Sequence, residues 1–145
     1  PQYLENYADK SISVASVQDI INLNLQDSLI RAPYGQQLFE GIVEDSTSTL
    51  SFQKIKQNLH EFGVSFFQKP MDSLNLDAVL SINNYHAGFA AVAKYPCLTI
   101  PMGYENSGEP ISLTFIAKPF QELKLFQLGY AFEQITKIRK QPKDY

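Results

Sequence analysis

Tryptophan is absent from this chain of 145 residues, and cysteine occurs once, at position 97. A lone thiol excludes an internal disulfide framework and fits a reducing compartment, so a cytoplasmic location is expected. No apolar run approaches the roughly 20 residues that a membrane-spanning helix needs, and no signal-peptide pattern follows Pro1; no membrane partner is expected. Basic clusters are missing too. The densest is Lys137, Arg139 and Lys140, and with a net charge of −3 the chain lacks the electrostatic footprint of a nucleic-acid binder. The seven glycines are scattered, forming neither a P-loop nor a dinucleotide fingerprint. No serine has glycines two residues to either side, which excludes a nucleophile elbow.

What is present is the balance of a folded protein: 44% hydrophobic and 19% charged residues. Ten Phe and eight Tyr must carry much of the core. The length suits one domain spanning residues 1–145. The opening PQYLENYADK reads like the interior of a longer protein, so a fragment is expected.

Helix signals open with Ser16, an N-cap candidate for a helix over 16–26, with Asp19 adding negative charge in the first turn. Val17, Ile20, Ile21 and Asn24 share one face of it. Pro33 and Gly35 mark a loop, and a short helix over 36–43 follows. The strongest amphipathic pattern is Phe52, Ile55, Leu59, Phe62 and Phe66, spaced three, four, three and four residues apart. It predicts a helix over 50–68 with that stripe in the core, weakened by Gly63 and kinked or ended at Pro70. Three strands are predicted at 77–82, 97–102 and 111–117, the last two joined as a hairpin through the turn formers of 103–110. The small residues of 87–93 suit a tightly packed helical turn. A final helix over 121–139 buries Leu125, Leu128, Phe132, Ile135 and Ile138, with Glu133 and Lys137 placed to pair. The fold class is therefore α/β, a mixed β-sheet covered by helices.

Candidate chemistry is sparse. His60-Glu61 begins like a zinc-protease motif, but Val64 stands where the second histidine belongs, so the pair reads as a solvated helix face. No metal site is expected. Cys97 opens an apolar strand and is expected to be a buried, inert thiol. The most informative feature is Asn83-Asn84-Tyr85-His86, at the carboxyl end of a predicted strand, where open α/β sheets gather their ligands. Two amides, a phenol and an imidazole suit a neutral polar substrate. The plainer alternative is a loop whose side chains bond its own backbone.

The order of segments LDAVLSINN, AGFAAVAKYPCLTIPMGY and GEPISLTFIAKPFQELKLFQLGYAFEQITKIRKQP resembles the C-terminal end of the amidase signature family. The matching stretches are 76–81, 87–103, 108–117 and 120–136. Upstream, Asp19-Ile20-Ile21 and Pro33-Tyr34-Gly35-Gln36-Gln37-Leu38 are similar to segments of bacterial members. The resemblance implies a parent that hydrolyses linear amides with two serines and a lysine, backed by a Gly/Ser-rich signature that supplies oxyanion donors. None of that machinery matches a residue here, so no catalytic residue and no cofactor are assigned, and the chain alone is expected to be inactive. Asn83, Asn84, Tyr85 and His86 would line the parent's substrate cleft. The implied partners are the N-terminal catalytic portion and a small amide, with self-association of the fragment through the face left uncovered. The tyrosine-threonine loop of the related tRNA amidotransferase subunits is not seen, which favours a stand-alone amidase. The reading from a different class is a self-standing, non-catalytic interaction module that keeps the fold.

Overall fold

The structure is a computed structural model that describes residues 2–141. The chain divides into two compact units, Pro1–Ser48 and Thr49–Tyr145.

The first unit is helical: α1 (Gln2–Tyr7), α2 (Val17–Leu25), α3 (Ser28–Arg31) and α4 (Gln37–Glu44). Ser16 caps α2 as predicted. Its Oγ accepts from the Asp19 N–H at 3.1 Å, and the Asp19 carboxylate accepts from the Ser16 and Ala15 N–H groups at 2.9 and 3.0 Å. These bonds, the one from the Ala15 N–H foremost, hold the Asp19 carboxyl below its ordinary pKa. A reciprocal cap satisfies donors that a helix start leaves open. Ile21 is buried on the predicted face. The bend before α4 turns on Gly35 at φ +83°, a left-handed conformation that glycine enters without a Cβ penalty.

The second unit contains α5 (Thr49–Ser73), β1 (Val79–Ile82), α6 (Ala87–Ala93), β2 (Cys97–Tyr104), β3 (Pro110–Ile116) and α7 (Glu122–Thr136). The sheet order is β1-β3-β2 and both pairings are antiparallel. The expected mixed sheet is thus antiparallel throughout its described strands. β1 and β2 run the same way across α6, but the hairpin returns β3 between them, so no parallel neighbours arise. A bulge between Pro101 and Gly103 bends the long edge strand β2, where a proline's missing N–H is tolerated.

Each face of the sheet has its own core. On one, Ile116 and Val79 meet Phe67, Met71, Ala90, Ala93 and Tyr95 from α5, α6 and the turn after α6. On the other, Ile100, Phe115 and Leu98 meet Leu125, Leu128 and Phe132 of α7. Burying a large side chain fully, as at Phe67, Met71, Ile116 and Leu125, is worth about 1.5–3 kcal/mol each.

Two helical faces depart from expectation. The Phe52-to-Phe66 stripe is not core: Phe62 is 74% exposed and Phe52 50%. α5 instead turns Gly63, Phe67 and Met71 inward, because Gly63 lets α5 approach the backbone of α6 more closely than a phenylalanine could. The helix also runs through Pro70 to Ser73, since losing one hydrogen bond near its end is tolerable beside the buried contacts of Phe67 and Met71. α7 stops at Thr136, with Lys137 left-handed at φ +47°. Ile135 is therefore exposed, Ile138 lies past the helix, and Lys137 caps Glu133 through its backbone N–H rather than pairing with the carboxylate. The ion pairs among the described residues are Lys118 with Asp72 and Lys124 with Asp77.

Candidate functional site

Residues 83–86 form a turn between β1 and α6, at the carboxyl end of β1. Asn83 sits at φ +49°, which asparagine tolerates better than most residues. Its N–H donates to the Ser112 carbonyl at 2.7 Å, and its Oδ1 accepts from the Ser112 N–H at 2.8 Å. Asn83 thus stitches the turn to β3, the backbone-bonding role that the plainer reading assigned to such a loop. The Asn84 carbonyl accepts from the Ala87 N–H at 2.9 Å, and the Tyr85 N–H reaches the Ile82 carbonyl at 3.3 Å. The side chains of Asn84 and Tyr85 lie exposed, Tyr85 by 72%.

His86 is half-buried and fixed from two directions. Its Nδ1 lies 2.8 Å from the Oγ of Ser81, a buried residue of β1. Its ring stacks on Phe66 of α5, centroids 5.9 Å apart and planes at 23°, with Phe89 of α6 at 6.0 Å. Beneath the turn runs a polar row across the sheet. Ser81 and Thr99 both register opposite Thr114. The Thr114 hydroxyl donates to the Asn83 carbonyl at 2.5 Å and shares a 2.8 Å bond with the Thr99 hydroxyl. No buried side-chain nitrogen or oxygen among the described residues lacks a partner. The sequence pattern did not single out Ser81, Thr99, Ser112 or Thr114, and it placed Phe66 in the core rather than against His86. The signal was the period-two spacing of Ser112 with Thr114 and of Cys97 with Thr99, which puts hydroxyls and a thiol on one face of apolar strands.

The other candidates fall elsewhere. His60 is not on a solvated face: its Nδ1–H donates to the Val92 carbonyl at 2.8 Å and ties α5 to α6. Glu61 points outward and accepts from Gln57 at 2.9 Å. Cys97 is exposed rather than buried, at the first position of β2, a strand at the edge of the sheet. Its thiol is nonetheless pushed up in pKa by partial burial, with the Tyr95 carbonyl 3.8 Å from Sγ. Both histidines are bonded elsewhere, so nothing lowers that pKa toward a thiolate. Among the described residues no group of three or more His, Cys, Asp or Glu is placed to hold a metal ion, and no helix is long and apolar enough to cross a membrane.

The layering and the polar turn at the strand end define a piece of an amidase-type fold. An amidase family protein from Bacillus anthracis superposes with a TM-score of 0.84, is 39% identical, and is matched over 98% of this chain and 28% of its own. A probable amidase of Arabidopsis thaliana is 32% identical over 113 residues, 76% of this chain and 22% of the relative. A glutamyl-tRNA(Gln) amidotransferase subunit of Lysinibacillus sphaericus is 31% identical over 116 residues, 79% of this chain and 20% of the relative. No protein-family model matches. The chain belongs to the amidase signature family, in a match consistent with the C-terminal portion of such a protein. It spans about a fifth of the length of these two curated relatives.

Proposed function

We propose that the whole protein is an amidase hydrolysing linear carbon–nitrogen bonds, and that this chain is its non-catalytic C-terminal portion. The observation that carries the reading is the likeness to the Bacillus anthracis amidase family protein over 98% of the chain. The tyrosine-threonine loop of the tRNA amidotransferase subunits, not seen in this sequence, favours a stand-alone amidase. In this reading the N-terminal portion supplies the nucleophile and base, and residues 1–145 belong to one domain of the whole. Lone Cys97 supports a cytoplasmic location.

The turn at Asn83, Asn84, Tyr85 and His86 is one wall of the substrate cleft. Asn83 shapes the turn, while Asn84, Tyr85 and His86 offer donors and acceptors to a small neutral amide. Uncharged groups of this kind orient an amide without the desolvation cost of a buried charge. The phenylalanine stripe of α5 is the face that self-associates when the chain is alone.

An amide-hydrolysis assay tests the proposal. The whole protein is expected to turn over small amides, and this chain alone to give no rate above background, since it holds no activated nucleophile. Tyr85→Phe and Asn84→Ala in the whole protein are expected to raise KM with kcat little changed, the pattern of lost ground-state binding. A whole protein inactive on every simple amide defeats the reading and favours an interaction module. Turnover by this chain alone, abolished by Cys97→Ala, defeats the non-catalytic assignment.

A further inference from the structure

We propose that Ser81 is a positioning residue, whose hydroxyl proton sets the tautomer of His86 so that Nε2–H faces the cleft as a donor to the carbonyl oxygen of an amide substrate. The inference rests on the reading of residues 83–86 as a substrate-binding wall and assigns the polarity of its imidazole.

Three observations carry it. The first is a hydrogen-bond choice. Ser81 is 5% exposed, and its Oγ has two neighbours able to accept its proton: His86 Nδ1 at 2.8 Å and the Ile82 carbonyl at 3.5 Å. The carbonyl lies at the limit of a useful bond. If Nδ1 carried the proton, the buried hydroxyl would be left with only that weak acceptor, and an unsatisfied buried donor is costly. Donation from Ser81 Oγ to Nδ1 satisfies the hydroxyl and puts the imidazole proton on Nε2. Thr114, opposite Ser81 in register, does not compete, because its hydroxyl is committed to the Asn83 carbonyl and to Thr99.

The second is rigidity. The stack on Phe66 and the tilted contact with Phe89 hold the ring plane, so the Ser81 bond fixes direction as well as tautomer. The third is access. Nε2 has no protein partner, yet no buried side-chain nitrogen among the described residues is without one. Nε2 therefore reaches solvent, at the end of the strand where the turn opens. A ring turned the other way in proton placement would present a lone pair to the carbonyl oxygen and repel it.

Histidine-selective 15N NMR of this chain reads the tautomer directly, and steady-state kinetics of the whole protein on a small amide read the consequence. In the chain as it stands, His86 is expected as the Nε2–H form, and Ser81→Ala is expected to give a mixed tautomer with the fold retained. In the whole protein, Ser81→Ala is expected to raise KM about three- to tenfold with kcat little changed, and Ser81→Thr, which keeps a hydroxyl, to restore most of it. An Nδ1–H signal in the unsubstituted chain overturns the proposal. So does a KM raised by His86→Ala but untouched by Ser81→Ala, which leaves the substrate wall standing. If neither His86→Ala nor Ser81→Ala moves KM, the wall itself is refuted and the positioning role with it.

Discussion

A Cβ placed on Gly63 would lie 3.0 Å from the backbone nitrogen of Ala93 and 2.8 Å from Cγ2 of Val92. α5 and α6 touch at this point, and backbone cannot swing aside as a side-chain end can. Gly63→Ala is therefore expected to cost about 1–3 kcal/mol by forcing the helices apart, despite alanine's better helix propensity. Gly129→Ala is expected to cost less, because the atoms it meets are the tips of Ile100 and Leu98. Urea midpoints of both variants check this; an unchanged midpoint for Gly63→Ala removes the close-approach argument.

Lys94 ends α6 at φ +59°, its N–H bonded to the carbonyls of Ala90 and Ala91. A left-handed residue with a Cβ is strained, whereas glycine is at home in such a cap. Lys94→Gly is expected to stabilise the chain by about 0.5–1 kcal/mol, the relieved strain exceeding the extra entropy of the unfolded state. Lys94→Ala, which removes the charge and keeps the Cβ, is expected to gain nothing. Equal gains from both would point to charge rather than backbone.

The Asp72 carboxylate accepts from the Lys118 ammonium, and that bond, then the ammonium's charge, holds its pKa below the ordinary carboxylate value. A group whose pKa is lower folded than unfolded contributes stability above the unfolded value and loses it as pH falls through the folded one. The stability difference between the chain and Asp72→Asn should hold from neutral pH down to the ordinary carboxylate range, then vanish below it. Both ends of the pair are well exposed, so the difference should also shrink in high salt. Denaturation curves at a series of pH values test the sign: a difference that grows on acidification contradicts it.

Phe62 is 74% exposed on a stripe that includes Phe52, Ile55, Leu59 and Phe66. Apolar faces of this kind drive association. Light scattering at micromolar concentration is expected to show self-association of this chain, and Phe62→Asp to reduce it while leaving the thermal midpoint nearly unchanged, as for other exposed positions. A chain that is monomeric, or whose association ignores the substitution, shows that this face is not the one used.

The candidate site was partly legible. The position of Asn83, Asn84, Tyr85 and His86 follows from a strand signal ending in polar residues. Their division of labour does not, because Asn83 is claimed by Ser112, a residue 29 positions away that only the β1–β3 register brings beside it. His60 is likewise claimed by Val92, 32 positions away, where the helical wheel had put it in water.

Local signals determined the elements on their own. Ser16 with Asp19 started a helix, Pro110 and Gly108 shaped a hairpin, and small residues made α6, because caps, turns and alternation act within a few residues. Which face of a helix becomes core is a different kind of question. α5 carries two apolar faces, and its sequence favours the one richer in phenylalanine, since periodicity counts hydrophobic residues and not the room they have. Tertiary structure chose the face with Gly63, Phe67 and Met71, because packing against α6 rewards close approach of backbones, a property of two segments at once that neither segment contains.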